Sequence, residues 1–169
     1  MPDSALIVKR PTRSPDYYAF IIVIILDQLS KWYFSHRLII GVTYPIIKDI
    51  FHLTLVYNTG IAFGLFKGMG RILILIAIAI CFFVFLKSRK EFDTYLKNSR
   101  LPQSKIIANK IAVGFILGGA ISNVIDRLRF GYVIDFLDFR VWPVFNFADS
   151  FITIGAAILI FNLVLTRLK

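Results

Sequence analysis

Four apolar segments, each near the length of a helix that crosses a bilayer, constrain this chain more than any other feature. They cover roughly residues 17–34, 71–86, 106–125 and 148–165. A helix needs about 20 mostly apolar residues to cross a hydrocarbon core. Hydrophobic residues make up 57% of the 169, and a soluble domain of this size has too little interior to hide them. The sequence therefore predicts a single integral membrane domain, residues 1–169, with four spanning helices.

The first apolar segment has two interpretations, because basic residues precede it as they precede the apolar part of a cleavable signal peptide. Asp27 and Lys31 interrupt this segment, and no small-residue cleavage pattern follows it. We therefore interpret it as a retained span.

The distribution of Lys and Arg predicts the orientation, since positively charged connecting segments tend to stay in the cytoplasm. The two termini and the link between spans two and three share one side and carry twelve Lys and Arg residues, whereas the two other connecting segments carry seven. Both termini are therefore expected in the cytoplasm. The net charge of the chain is +10. Its basic residues lie between the apolar runs and form no basic stripe with aromatic residues, so no nucleic-acid binding is expected.

The first outer segment, residues 35–70, contains a pattern typical of strands. Side chains alternate along Phe51–Tyr57, and Asn58-Thr59-Gly60 follows as a turn signal. An open strand edge at membrane depth leaves backbone groups unpaired, so we expect a small sheet at the outer interface. In the third span, Gly114, Gly118 and Gly119 predict a face for close helix packing.

Cysteine and histidine are too scarce to predict a disulfide or a metal centre. Cys81 is the single cysteine, and the two histidines, His36 and His52, are isolated in the sequence. No metal is expected.

Charged residues in or beside membrane spans are energetically unfavourable, so each one needs a partner or a role. Asp27 and Lys31 are four residues apart, which places them on one helix face as a possible ion pair. They form either a self-satisfied pair near the end of the span or a support for a site, and the two interpretations are compatible. Asp126 and Arg127 are adjacent and point in different directions; by themselves they indicate a helix end with its charges in water.

Two further aspartates follow in the outer part of the chain. Asn146 is placed to cap the fourth predicted helix, with Asp149 at the third helical position, where a carboxylate favours the helix dipole. Local sequence favours that capping role over catalysis. Asp135 is flanked by apolar residues and therefore needs either a cation or a shared proton.

Two carboxylates on one membrane face, without a nucleophilic cysteine or a metal cluster, fit aspartic-peptidase chemistry. In that chemistry two aspartates share one proton, one activates a water molecule, and the other donates a hydrogen bond to the scissile carbonyl. The separation of Asp135 and Asp149 in sequence permits them to meet but does not place them together.

Five motifs, in order along nearly the whole chain, resemble those of the lipoprotein signal peptidases (signal peptidase II). They are Asp27-Gln-Leu-Ser-Lys31, Tyr57-Asn58-Thr-Gly60-Ile-Ala62-Phe63-Gly64, Gly118-Gly119-Ala120-Ile-Ser-Asn123-Val-Ile-Asp126-Arg127, Gly131-Tyr-Val-Ile-Asp135-Phe136 and Phe145-Asn146-Phe-Ala148-Asp149-Ser150. Each motif alone is weak, whereas the ordered set is specific. Two positions depart from the family pattern: Ile61 stands where alanine is usual, and Ser122 where glycine is usual.

The resemblance implies that Asp135 and Asp149 are the catalytic pair. It implies that the residues shaping or supporting the site are Asp27, Lys31, Asn58, Gly60, Asn123, Asp126, Arg127, Asn146 and Ala148. The implied fold is an all-α membrane bundle of four transmembrane helices with a small periplasmic β-cradle and a short, mobile interfacial helix that closes over the site. We place the closing lid in the first outer segment, with Gly68 and Gly70 as hinges.

The implied activity is removal of the signal peptide from diacylglyceryl-modified bacterial prolipoproteins, by cleavage just before the lipidated cysteine, and the resemblance implies that no cofactor is needed. The implied setting is the bacterial cytoplasmic (inner) membrane, with several spans and the active site at the outer face. The expected partners are diacylated prolipoproteins and membrane lipid, the expected state is a monomer, and globomycin is the expected inhibitor. Two alternatives are a proton-coupled carrier or channel component, in which carboxylates relay protons, and a non-enzymatic assembly subunit joined through the glycine face.

Overall fold

The computed structural model of the chain describes residues 15–60 and 102–167, together with Thr94. Three helices and three strands lie in these ranges. In chain order they are α1 (Pro15–Arg37), β1 (Thr43–Ile47), β2 (Phe51–Asn58), α2 (Gln103–Phe130), β3 (Val133–Asp138) and α3 (Phe147–Arg167).

The three helices coincide with three of the four predicted spans. The remaining predicted span, residues 71–86, lies outside the described residues, as do Ile61 and the predicted hinges Gly68 and Gly70. Within the described ranges, α2 is the one helix that is long and apolar enough to qualify as a membrane span by itself. In α1 the polar side chains of Asp27, Gln28 and Lys31 lower the mean hydropathy.

Large apolar side chains cover the outer surface of the helices. On α1, Leu29 is 59% exposed and Trp32 is 62% exposed, and on α3 Phe161 is 64% exposed. An exposed apolar surface of this kind is unfavourable in water but suits a lipid environment. The exposure pattern is therefore that of a membrane protein.

The sheet is a three-stranded antiparallel arrangement in the order β1-β2-β3. The predicted strand at Phe51–Tyr57 is confirmed as β2. It pairs with β1, where Pro45 lies opposite His52. On the other side, Val56 pairs with Asp135 and Asn58 with Val133. Among the described ranges, no short interfacial helix is found.

Strand β3 was missed by the sequence reasoning. Five of its six residues are buried, so the segment lacks the alternation of apolar and polar residues that marks a strand with one solvated face. This strand carries Asp135 into the interior beside α2.

The glycines of α2 allow close helix packing, as predicted, but on two faces of the helix rather than one. A Cβ atom on Gly118 would lie 2.8 Å from the carbonyl oxygen of Phe20 in α1, and one on Gly119 would lie 2.5 Å from the carbonyl oxygen of Ala148 in α3. Such distances leave no room for a side chain. Helix α2 therefore stands between α1 and α3. The third of the five sequence motifs, which begins at Gly118, lies against both helices.

Candidate active site

Asn146 caps α3 through a reciprocal pair of hydrogen bonds with Asp149. The Asp149 backbone N–H donates to Asn146 Oδ1 at 2.9 Å, and the Asn146 backbone N–H donates to Asp149 Oδ2 at 3.3 Å. The predicted cap is therefore confirmed. The other carboxylate oxygen of Asp149, Oδ1, accepts a hydrogen bond of 2.9 Å from Asn123 Nδ2. One side chain therefore both caps the helix and belongs to the site.

Asp135 is held from both sides by amide groups. Its side chain is buried, with 2% of the residue exposed. Asn146 Nδ2 donates to Oδ1 at 2.7 Å, and Asn58 Nδ2 donates to Oδ2 at 3.0 Å. Asn146 thus bonds both aspartates, with its side chain to Asp135 and with its backbone to Asp149.

The two aspartates line one cavity of about 260 Å³. Both polar and apolar side chains line it. The lining residues are Asn58, Asn123, Arg127, Val133, Asp135, Trp142, Pro143, Val144, Phe145, Asp149, Ile152 and Thr153. The thirteen intervening residues, 136–148, thus fold back, so that both carboxylates face a single space. In the described part of the chain, no group of three His, Cys, Asp or Glu side chains is arranged to hold a metal ion.

Burial raises the pKa of Asp135 to about 7, from an ordinary value of 3.8. The hydrogen bonds from Asn58 and Asn146 and the charge of Lys31 act in the opposite direction, while the negative charge of Asp149 raises the pKa further. The balance favours a protonated carboxyl group beside a second carboxylate. One proton held between two acids is the state that an aspartic dyad requires.

The raised pKa of Asp135 predicts a dependence of stability on pH. A carboxyl group whose pKa is higher in the folded state than in the unfolded state favours folding at low pH, and that contribution is lost as the pH rises from about 4 to about 7. Asparagine cannot titrate. As the pH rises over this interval, the wild type should therefore lose stability relative to Asp135→Asn. The expected loss in the free energy of unfolding is on the order of 4 kcal/mol, and it appears as a change in the Tm difference between the two proteins.

Thermal unfolding in detergent, measured at pH 4, 5.5, 7 and 8.5, checks this expectation. The Tm of each protein is compared with its own Tm at the other pH values. The pH-independent effect of replacing the carboxyl group by an amide therefore cancels. A Tm difference that stays constant across the series would contradict a raised pKa.

A buried cation joins three groups behind the cavity. Lys31 Nζ lies 2.6 Å from Asp27 Oδ2 and 2.8 Å from Asp126 Oδ2, and it donates to Asn123 Oδ1 at 2.8 Å. Asp27, Lys31 and Asp126 are each no more than 1% exposed. The predicted ion pair between Asp27 and Lys31 is confirmed, but as a buried pair rather than one that reaches the interface. The interpretation of Asp126 as a solvated helix-end charge was wrong, because α1 packs over the last turns of α2.

Asp27 and Asp126 also bind the backbone next to the two cavity aspartates. Asp27 Oδ1 accepts a hydrogen bond of 2.8 Å from the N–H of Ala148, and Asp126 Oδ2 accepts one of 3.2 Å from the N–H of Ile134. Ala148 therefore takes part through its backbone, and its side chain is buried.

Arg127 points away from Asp126, as predicted, and supports the turn after β2. Its Nη2 donates to the carbonyl oxygen of Gly60 at 3.0 Å, and the Gly60 N–H donates to Asn58 Oδ1 at 3.0 Å. With its oxygen occupied, the Asn58 amide directs its nitrogen toward Asp135.

Every site residue expected from the sequence lies in this one network: Asp27, Lys31, Asn58, Gly60, Asn123, Asp126, Arg127, Asp135, Asn146, Ala148 and Asp149. Two members were missed. Gln28 Nε2 donates to Asp126 Oδ1 at 2.7 Å, and Ser122 Oγ donates to Asp27 Oδ2 at 2.7 Å. Ser122 precedes Asp126 by four residues and so shares its helix face, which was the available signal.

Comparisons with known proteins agree with this architecture. The family profile described as Signal peptidase (SPase) II matches residues 19–165. A lipoprotein signal peptidase of Halothermothrix orenii is 44% identical over 147 residues, covering 87% of this chain and 93% of that protein. The corresponding protein of Fusobacterium nucleatum is 41% identical, covering 85% of this chain and 82% of that protein.

A solved structure has the same overall fold. It is described as a bacterial membrane enzyme studied by the in meso method at 2.3 Å resolution, and it superimposes with a TM-score of 0.71 at 26% identity, covering 88% of this chain and 87% of that one. With the family profile spanning most of its length, this chain belongs to the signal peptidase II family of membrane-embedded aspartic peptidases.

Proposed function

We propose that the protein is an intramembrane aspartic endopeptidase that removes the signal peptide from diacylglyceryl-modified prolipoproteins, cleaving just before the lipidated cysteine. Asp135 and Asp149 form its catalytic dyad. The observation that carries this assignment is the cavity that both carboxylates line, with Asn146 bonded to each of them.

The chemistry follows from one proton shared by two acids. The ionised carboxylate of the dyad accepts a proton from a water molecule, whose oxygen attacks the scissile carbonyl carbon. The protonated partner donates a hydrogen bond to the carbonyl oxygen as negative charge develops there. When the tetrahedral intermediate collapses, the C–N bond breaks and the dyad returns a proton to the leaving amine. Water is consumed, and the dyad ends in its starting protonation state.

The amides around the dyad orient it for this reaction. Asn58 and Asn146 both donate to Asp135, and Asn123 donates to Asp149. Donors aimed at a carboxylate fix its rotation and hold it in place, which reduces the reorganisation needed during the reaction. Arg127 acts indirectly. It binds the carbonyl oxygen of Gly60, and the Gly60 N–H binds Asn58 Oδ1, which fixes the direction of the Asn58 amide.

The apolar wall of the cavity suits the substrate. Val133, Val144, Phe145 and Ile152 contribute apolar side chains to this wall. Acyl chains reach such a site laterally from the lipid, and each buried methylene contributes about 0.8 kcal/mol. A substrate with a hydrophobic signal peptide on one side of the scissile bond and a lipidated cysteine on the other therefore matches a half-apolar cavity beside membrane helices.

The proposed setting is the bacterial cytoplasmic membrane, with four spans, both termini in the cytoplasm and the dyad at the outer face. The excess of Lys and Arg in the termini and the central link supports this orientation. A reporter enzyme that works only in the cytoplasm should be active when fused after Lys169. Activity of an export-dependent reporter at that position would contradict the orientation.

A cleavage assay on purified protein tests the function. The wild type should cleave a diacylated prolipoprotein into the signal peptide and a fragment beginning with the lipidated cysteine, and it should leave the same precursor without its diacylglyceryl group largely uncut. Globomycin should block the reaction at one equivalent per chain, and the active protein should run as a monomer in size-exclusion chromatography. A protein that transports protons in vesicles but cuts no precursor would favour the carrier alternative.

A further inference from the structure

Two buried carboxylates hold the chain immediately before each dyad aspartate. Asp27 binds the N–H of Ala148, which precedes Asp149, and Asp126 binds the N–H of Ile134, which precedes Asp135. The first contact fixes the start of α3, and the second fixes β3 against α2. The spacing of the dyad is therefore set by the spacing of Asp27 and Asp126, which lie on different helices.

Two bridges join Asp27 to Asp126. The first is the Lys31 ammonium group, which contacts both carboxylates. The second passes through Gln28 and Ser122: Gln28 Nε2 donates to Asp126 Oδ1 at 2.7 Å and to Ser122 Oγ at 3.1 Å, and Ser122 Oγ donates to Asp27 Oδ2 at 2.7 Å. We call Gln28 and Ser122 the amide–hydroxyl bridge.

The two bridges do different physical work. Lys31 neutralises charge, but an ammonium group can rotate about its long flexible stem without losing its electrostatic attraction. The planar amide of Gln28 and the short hydroxyl of Ser122 are directional, since hydrogen bonds weaken steeply away from linear geometry. Asp126 Oδ2 is shared by Lys31 and the Ile134 N–H, so Gln28 on Oδ1 restrains rotation of that carboxylate.

We infer that Gln28 and Ser122 are positioning residues of the peptidase: they orient Asp27 and Asp126, which in turn hold the backbone that carries the two dyad aspartates. This inference rests on the assignment of Asp135 and Asp149 as the dyad. Ser122 is 0% exposed, so its hydroxyl acts within the protein and does not touch the substrate. Loss of the bridge should therefore affect the chemical step and leave substrate binding intact.

Steady-state kinetics of Ser122→Ala and Gln28→Met test the bridge on the diacylated precursor. Each variant should lower kcat about tenfold, because a small misplacement of reacting groups slows the reaction strongly, while KM stays within about twofold. The double variant should be close to the worse single variant, since both residues belong to one chain of hydrogen bonds. Rates are expressed per folded enzyme, measured by size-exclusion chromatography and globomycin titration.

Asn109→Ala is the matched control. The Asn162 amide donates to Asn109 Oδ1 at 2.7 Å and links α2 to α3 away from the cavity, whereas the amide–hydroxyl bridge links α1 to α2. This variant loses a buried interhelical hydrogen bond but should keep the wild-type kcat. Gln28 is only partly buried, so Gln28→Met remains informative if Ser122→Ala does not fold.

The outcomes separate the bridge from the dyad. A wild-type kcat in both bridge variants, with Asp135→Asn inactive, overturns the positioning role and leaves the peptidase assignment standing. Losses in kcat no greater than that of Asn109→Ala also overturn it, since they reflect stability alone. Normal cleavage by Asp135→Asn overturns the dyad and the bridge together.

Discussion

Replacement of Asp135 or Asp149 by asparagine is expected to abolish cleavage of a diacylated precursor, with kcat lower by about 10³-fold or more. The amide keeps the size of the side chain but can neither accept a proton from water nor hold the shared proton. Because both carboxylates line one cavity and share Asn146 as a partner, loss of either one removes the function of the pair. Product formation is followed by gel shift or mass spectrometry.

Asp138→Asn is the matched control for this experiment. Asp138 lies on the same strand as Asp135, but its carboxylate binds Thr54 at 2.7 Å and Arg140 at 3.2 Å and does not line the cavity. This variant should cleave at a rate close to that of the wild type. Normal cleavage by Asp135→Asn or Asp149→Asn would remove the dyad from the mechanism.

The capping role of Asp149 requires a separate readout. Asparagine at this position can still accept the hydrogen bond from the Asn146 N–H, so Asp149→Asn should remain folded. If activity is lost only in proportion to the loss of folded protein, the role of Asp149 is structural. If activity vanishes while the Tm stays near that of the wild type, the role is catalytic.

Replacement of Lys31 by methionine is expected to cause the largest loss of stability in the described part of the chain. The ammonium group lies between Asp27 and Asp126, and both carboxylates are almost completely buried. Without it, two negative charges face each other in a medium of low dielectric constant. Removal of one member of a buried ionic group typically lowers the free energy of unfolding by about 3 to 5 kcal/mol.

Thermal unfolding in detergent measures this loss, and Arg140→Met is the comparison variant. Arg140 also pairs with an aspartate, Asp138, at 3.2 Å, but its side chain is 50% exposed. Exposed pairs contribute about 1 kcal/mol or less, so this variant should unfold near the wild-type temperature. Equal Tm values for the two variants would show that the buried cation is not required for stability.

Much of the helical framework was predictable, because membrane helices must be long, apolar and internally hydrogen-bonded. Three predicted spans coincide with α1, α2 and α3, and the alternation at Phe51–Tyr57 predicted β2. Strand β3 was not predicted, since a strand buried on both faces has no periodic signal that separates it from other short apolar segments.

Local spacing also predicted part of the site. Asn146 as a cap and the pairing of Asp27 with Lys31 depend on spacing along one helix, which local sequence specifies. The burial of Asp126 depends on α1 packing across α2, and the placement of Gln28 against Ser122 depends on the distance between those helices. No local pattern contains that information.

The residue types and their local spacing were enough for the membrane class, the boundaries of α1, α2 and α3 within about five residues and the set of acids capable of peptidase chemistry, since these follow from transfer free energies and backbone geometry. Tertiary packing decided which acids face the cavity and which lie behind it. Asp135 and Asp149 line one cavity because the glycines of α2 let α1 and α3 approach closely and because Asp27 and Asp126 bind the backbone of the two segments that carry them. Contacts between distant parts of the chain set those distances, so they appear only in the folded protein.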